Sequence, residues 1–301
     1  MVVVDNSGRG SAHALLPPAS SVRVIENGSN VGFGAAVNQG IESSQSEFVA
    51  TLNDDAVAHA GWIEALLRAA AGRPDAGMYA SQVRLQDTDR LDSTGMLIAG
   101  DASSKQRGHG ESSWDYSQPG EALFPSGSAA LFRRTMLNQI GGFDADFFLY
   151  CEDTDLGLRG IWAGWKCLYV ADAVVEHRYS HSAGRASALK AYFVERNRLF
   201  VAVKNFPFPM LVMAIFVSIA RYWWHLVYML QGRGKAAEFA EGGAGSMLAW
   251  FVLRAHWATL TSLPTLLQKR RDVQAKARID AAEFTSILRR HWITARQVAA
   301  H

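Results

Sequence analysis

The sequence predicts an α/β protein with strands and helices in alternation, and three observations carry that prediction. Short apolar runs, VVVD, VRVIE and EFVATL, recur near the start, and helical patterns follow the second and third of them. Such alternation builds a parallel sheet, because each crossover helix returns the chain to the same edge. At 301 residues and 49% hydrophobic, the chain can bury a core for one sizeable domain plus an appendage. Finally, two of the runs end in acids, Asp5 and the pair Asp54/Asp55. That places carboxylates at the carboxyl ends of strands, where ligands of open α/β sheets gather.

The elements follow in order. Strands at VVVD and VRVIE are followed by a helix from about Gly34 to Ser44, a strand from Phe48 to Leu52 and a helix from about Gly61 to Ala71. MYASQVRL and RLDSTGMLIAG continue a mixed-sheet region, and the polar, Gly-rich stretch from Asp101 to Gly120 is expected to be a mobile loop. SAALFRR leads into a short helix, and a helix from about Asp153 to Ala163 precedes the strand KCLYV and a second one ending at His177. ALKAYFVERNRLFVAVKNF reads as an amphipathic helix closing a first domain at residue 205, with an apolar and basic helical region over 206–301.

Charge is divided unevenly. Through Ser182 there are 13 basic against 22 acidic residues, and from Ala183 onward 17 against 6. A basic block of that kind faces something anionic, either nucleic acid or a membrane surface. The same block contains PFPMLVMAIFVSIARYWWHLVYML and SMLAWFVLRAHWATLTSLPTLL, too apolar for nucleic acid, so an anionic membrane surface is expected. Cys151 and Cys167 lack metal or redox spacing and read as buried thiols of a reducing compartment. The opening MVVVDNSG has no signal-peptide pattern, which predicts a location on the cytoplasmic face of the plasma membrane, held peripherally.

Several residues could carry chemistry. The carboxylates after TLN can hold a cation, although Asp55 could equally cap the helix near His59. Asp5 could be a ligand residue or a turn aspartate. In NVGFGAAVNQG, Gly32 and Gly34 allow close backbone approach at a helix start. Glu152, Asp153 and Asp155 open a helix, where the dipole favours acids regardless of function. His177 could complete a metal shell, with His181 as a competitor, and RYSHSAGRAS has the composition of a lid. Arg196, Asn197 and Arg198 either bind phosphate or form a solvated face.

VDNSG, NVGFGAAVNQGI, TLNDD, the GGFDADFFLYCEDTDLGLR block and ERNRLF, in this order, resemble the inverting family 2 glycosyltransferases of GT-A fold, particularly bacterial rhamnosyltransferase-like members, over about residues 1–205. The resemblance implies that Asp55 binds Mn²⁺ or Mg²⁺ bridging a donor diphosphate and that Asp54 lies against the ribose or the metal's water shell. It implies Asp5 on the base, and Asn30, Gly34 and Asn38 beside the nucleotide. Asp153 becomes the catalytic base with Glu152 as its neighbour, and His177 a third metal ligand. The implied donor is a nucleotide sugar, dTDP-rhamnose, and the acceptor is lipid-linked or a glycan of the cell envelope. Asn53 replaces the aspartate many relatives carry, which thins the metal shell in charge. Relatives also have about one further strand upstream of VVVD, so the first strand is expected to be missing. One other reading stays open, a non-catalytic membrane-bound partner of another transferase; a nucleotidyltransferase on a similar sheet is disfavoured by the Glu152–Asp153 block and the apolar region.

In the apolar region, Met210 to Leu230 is long enough to span a bilayer but carries Arg221 at its middle. Ser218, Arg221, His225 and Tyr228 fall on one stripe, which predicts a helix lying in the headgroup layer, with Lys269, Arg270 and Arg271 against anionic lipid. A hydrophobic hairpin used for homodimerisation is the alternative. A cut near Phe206 is expected to leave a soluble core.

Overall fold

The computed structural model describes residues 1–16, 21–178, 188–232 and 245–300. Its centre is strand β5 (Ala76–Leu85), in which the first eight residues are buried. A strand covered on both faces has no reason to alternate, and AGMYASQV does not. Around it runs a seven-stranded mixed sheet in the order β3 (Phe48–Leu52), β10 (Ala129–Arg133), β5, β11 (Lys166–His177) and β4 (Ala56–Ala58). Strands β6 (Leu91–Ser93) and β9 (Gly120–Ala122) attach to β5 and β11.

The expected parallel sheet is present only in part. β5 and β11 pair in parallel, whereas β10 runs antiparallel to both β3 and β5. β1 (Val2–Asp5) and β2 (Arg23–Glu26) pair in parallel as a separate two-stranded unit. Alternation of strand and helix fixes how the chain crosses over, not which later strand inserts between two earlier ones.

Two register features place the candidate site. β11 shifts register against β5 between Val170 and Val174, then runs on to pair with β4, setting His177 opposite Ala56. His177 therefore arrives beside Asp55, and the next residue closes the corner, with Arg178 N–H donating to the Asp55 carbonyl at 3.0 Å. On the opposite side, helix α5 (Glu152–Trp162) buries ten of its eleven residues. Gly157 makes that possible, because a Cβ there would lie 2.3 Å from the Phe124 side chain.

The stretch from Asp101 to Gly120, expected to be mobile, is structured. It holds β8 (Ser104–Gln106), paired with β7 (Met96–Ala99), and a 3₁₀ turn at Ser113–Tyr116. Arg107 anchors it, donating to the carbonyls of Thr94 and Glu121, both at 2.8 Å. Backbone partners from neighbouring strands satisfy a polar loop that local composition reads as free.

After residue 205 the chain does not leave the core. Helices α6 (Ala188–Asn205), α7 (Phe208–Leu230), α8 (Gly245–Thr261), α9 (Leu263–Ala275) and α10 (Ala281–Arg289) lead to β12 (Trp292–Ile293), which pairs with β7, and α11 (Ala295–Ala300). Phe284 of α10 stacks on Trp162 of α5, ring centroids 4.1 Å apart, and both Phe284 and Leu288 are fully buried. Each such side chain contributes about 1.5–3 kcal/mol of apolar burial. A cut near Phe206 therefore exposes core, contrary to the expectation of a detachable tail.

The stripe on α7 also points the other way from expectation. Ser218 and Arg221 are buried against the sheet-bearing half, Arg221 donating to Asp101 Oδ2 at 2.6 Å and Glu195 Oε2 at 2.7 Å. Tyr228 accepts from Arg296 at 3.2 Å. Polar residues face protein, and the apolar face is left outside: Ile215, Phe216, Ile219 and Trp223 of α7, and Trp250, Leu253 and Trp257 of α8, are each at least 60% exposed. Among the described residues, α7 is the one helix long and apolar enough to cross a membrane. The basic cluster is likewise turned inward. Lys269 pairs with Asp144 at 2.5 Å and Asp146 at 2.7 Å, and Arg270 donates to the carbonyls of Val203 and Phe206, leaving Arg271 exposed.

Candidate active site

The turn Ser126–Ser128, which the sequence reading passed over, brings the two acidic motifs together. Asn53 N–H donates to the Ser128 carbonyl at 2.9 Å, and Gly127 N–H donates to Asp153 Oδ2 at 3.1 Å. The end of β3 and the start of α5 thus meet across two adjacent residues of backbone, Gly127 and Ser128. A glycine at 127 suits the crowding, since a Cβ there would sit 3.3 Å from the Phe33 ring at the start of helix α2 (Phe33–Glu42).

Glu152 and Asp153 lie at the beginning of α5, after a loop with unusual backbone. Phe148, Tyr150 and Cys151 all have positive φ, at 62°, 70° and 64°. Such conformations cost about 1–2 kcal/mol per residue for L side chains, so something must hold them. Asn197 does. Its amide donates to the carbonyls of Phe147, Leu149 and Tyr150 at 2.8, 2.8 and 2.7 Å, and it is fully buried. Arg196 adds bonds to the Asp146 and Phe147 carbonyls, with its guanidinium over the rings of Phe193 and Phe200. Arg198 is buried and ion-paired with Glu195. Residues 196–198 are therefore neither a phosphate clamp nor a solvated face. Arg196 and Asn197 hold the loop that presents the acids, while Arg198 ties α6 to the Asp101 carbonyl and to Ser218 of α7.

The electrostatics of α5 differ along one turn. Burial raises the Glu152 carboxyl, and the neighbouring Asp153 charge adds to it; Glu152 Oε2 has no hydrogen-bond partner. Burial also raises Asp153, although its oxygens accept from Gly127 N–H, from its neighbour Thr154 N–H at 2.6 Å and from the Thr154 hydroxyl at 3.2 Å. No cation pairs with either acid among the described residues. Asp155 is also buried, and burial alone would raise it; Lys204 at 2.8 Å and Arg159 at 2.7 Å reverse the sign and hold it below the ordinary carboxylate range.

At the end of β3, Asp54 is exposed while Asp55 turns inward. Asp55 Oδ1 lies 3.1 Å from His177 Nε2, yet the two atoms are not aligned for a hydrogen bond, and both are buried without one. Burial opposes protonation of His177, but the hydrogen bond and charge of Asp92 and the charge of Asp55 outweigh it and raise its pKa. Among the described residues no group of three His, Cys, Asp or Glu side chains is set to hold a metal. Two orphaned donors, one oxygen and one imidazole nitrogen, fit a divalent cation whose remaining ligands come from a substrate or water. His181 and nearly all of the expected lid lie outside the described residues.

The residues expected beside a nucleotide are mostly engaged in holding the fold. Asp5 accepts from the N–H groups of Ser7 at 2.9 Å and Ala12 at 2.8 Å, and the Ser7 side chain foremost, followed by these two amides, brings its pKa down to about 2. Asn30 accepts from Asn6 and from Gly32 N–H. Asn38 makes paired bonds to the backbone of Phe143, at 2.7 and 2.8 Å. Gly34 is buried where a Cβ would lie 2.9 Å from Phe143 Cβ, so its smallness serves packing. Asp5 thus fits the turn alternative, and Asn38 ties α2 to the loop before α5.

Comparison with known proteins adds three findings. The family described as Glycosyltransferase like family 2 matches residues 2–201. The chain is 33% identical over 218 residues to an N-acetylglucosaminyl-diphospho-decaprenol L-rhamnosyltransferase of Mycobacterium tuberculosis strain H37Rv, covering 64% of this chain and 71% of that one. It is 24% identical over 192 residues to the O-antigen chain rhamnosyltransferase WbaN of Salmonella anatum, covering 60% and 57%. Among solved structures it resembles GalNAc-T7 with UDP, GalNAc and Mn²⁺, with a TM-score of 0.54 at 13% identity over 67% of this chain; it spans 41% of that structure's chain. That likeness concerns the fold, a mixed α/β sheet of GT-A type with a C-terminal helical region.

Proposed function

Since the chain belongs to glycosyltransferase family 2, we propose that it is an inverting rhamnosyltransferase that moves rhamnose from dTDP-rhamnose to a lipid-linked or polysaccharide acceptor in cell-envelope glycan synthesis. The donor and acceptor classes are drawn from what its relatives are named for. The observation that carries the mechanism is the acid pair at the start of α5, without a cationic partner among the described residues, facing the end of β3 across the Ser126–Ser128 turn.

Asp153 takes the proton of the acceptor hydroxyl as that oxygen attacks the anomeric carbon opposite the leaving diphosphate. Its raised pKa makes it a stronger base than a solvated aspartate, and Gly127 N–H fixes one of its oxygens. Glu152, held mostly neutral by burial, keeps a second negative charge away from the attacking oxygen. Asp55 and His177 would hold Mn²⁺ or Mg²⁺, which when bound neutralises charge developing on the leaving diphosphate. Asp54, exposed beside them, is free to meet the ribose or the cation's water shell.

The test uses full-length protein with dTDP-rhamnose and a polyprenyl-diphosphate glycan acceptor. Transfer lost in both Asp153→Asn and Asp55→Ala, with donor binding kept in the first and lost in the second, supports the assignment. A wild-type chain that folds but binds no nucleotide diphosphate in the presence of Mn²⁺ favours the non-catalytic partner. That alternative draws support from Asp5 and Asn38, whose side chains are already used within the fold.

Peripheral attachment to the cytoplasmic face of the membrane belongs to the same proposal. Its support is the outward apolar face shared by α7 and α8, with Trp223, Trp250 and Trp257 exposed on it. Phe216→Glu with Trp223→Glu should release the protein from anionic vesicles in sedimentation. Unchanged sedimentation, with loss of a dimer in light scattering, points instead to a homodimer surface.

A further inference from the structure

Behind the Asp55–His177 corner lies a second, fully buried acid, Asp92, on β6. It is 2% exposed, and its Oδ2 lies 2.9 Å from His177 Nδ1. Its other side faces His109, whose Nδ1 is 3.1 Å from the Asp92 carbonyl and 3.3 Å from Oδ1. Strand pairing dictates the placement. β6 and β11 both attach to the end of β5, with Ser93 opposite Val83 and His177 opposite Leu85.

We propose that Asp92 is a positioning residue that holds His177 with its proton on Nδ1, turning the Nε2 lone pair toward Asp55 as one half of a divalent-cation site. An ionised carboxylate only accepts, so the 2.9 Å contact requires the proton on Nδ1. In a neutral imidazole Nε2 then carries a lone pair, and it faces Asp55 Oδ1 at 3.1 Å in an alignment that admits no hydrogen bond. With the ring neutral, two buried acceptors that close need a positive charge to share, and a divalent cation supplies it in place of a second ring proton. A carboxylate behind a ligating histidine fixes the ring and its tautomer and strengthens the ligand, an effect commonly worth 10–100-fold in metal affinity.

The inference rests on the proposed cation site at Asp55 and His177, and the experiment separates the two. Mn²⁺ alone is titrated into metal-free full-length protein and followed by electron paramagnetic resonance, with nitrogen-15 shifts of His177 recorded before metal is added. Asp92→Ala should weaken Mn²⁺ binding about 10–100-fold, and Asp92→Asn, whose amide oxygen still accepts from Nδ1, should recover part of it. Metal-free wild type, held at a pH where the His177 ring is neutral, should show the Nδ1-protonated tautomer, a readout that survives even where Asp92→Ala fails to fold. Wild-type affinity in Asp92→Ala, alongside loss in Asp55→Ala and His177→Ala, overturns the positioning role alone. Unchanged binding in all three overturns the cation site and the role together, and an Nε2-protonated His177 in wild type overturns the role directly.

Discussion

Asp153 and Asp155 sit two residues apart at the start of one helix, and the fold treats them in opposite ways. Asp155 is buried among Arg159, Lys204 and Asn205, and those partners hold it ionised. Among the described residues Asp153 and its neighbour Glu152 have no cation paired with them, and burial raises both. The difference teaches where to look for chemistry in a chain rich in buried charge. Asp101 and Glu195 repeat the Asp155 pattern against Arg198 and Arg221, so they read as fold. Paired acids hold elements together, and the unpaired ones retain a proton affinity that can be used.

The contrast can be broken at several points. The largest effect belongs to Asp155→Asn, which leaves Arg159 without its buried partner and should destabilise the protein by about 3–5 kcal/mol, read as a lowered denaturant midpoint. An unchanged midpoint would remove the distinction drawn here. Next, Asp153→Asn should cut kcat by a factor on the order of 10² or more with the midpoint nearly unmoved. Full turnover in that variant would return the acids to helix capping.

A pH series sharpens the same comparison. The folded pKa of Asp155 is depressed, so its stabilisation is complete above the ordinary carboxylate range and lost as pH falls through its lower folded value. Asp153 is raised, so its basic form disappears at a higher pH than an ordinary aspartate's as the solution is acidified. Activity should therefore fall with acid while circular dichroism still shows a folded protein. Coincident loss of the two signals would contradict it. A smaller effect is expected at Asn197→Ala, which frees three carbonyls of the strained loop: kcat should drop several-fold while donor affinity stays, and both falling together would mean general unfolding. Smallest is Arg271→Glu, the exposed member of the basic cluster, which should cost about 1 kcal/mol of affinity for anionic vesicles; reversing Lys269 or Arg270 should lower stability instead.

Much of the fold was legible because it depends on local pattern. The apolar runs at Val2–Asp5 and Phe48–Leu52 became strands, and GFGAAVNQGI and EDTDLGLRGIW became helices at nearly the expected bounds. Acids at strand ends were visible in the same way, and His177 does reach Asp55. Asp92 left no such signal, since LDSTG reads as an ordinary strand end and its meaning comes from a strand pairing with β5. The Ser126–Ser128 turn was silent for the same reason: its role lies in backbone groups that any residue carries.

By itself the sequence determined periodicity, and with it the α/β class, the acidic strand end and the presence of a polar stripe on an apolar helix. Only the tertiary structure decided which way that stripe faces. A period of 3.6 says that Ser218, Arg221 and His225 share a side, but whether that side meets water, lipid or protein depends on what lies opposite. Here it is Asp101, 120 residues earlier, and Glu195. The same holds for the acids of α5. Lys204, 49 residues beyond Asp155, turns one carboxylate into a structural anchor, and Asp153, with no such partner among the described residues, is instead raised by burial, because the charge state of a buried group is set by its surroundings in space rather than its neighbours in the chain.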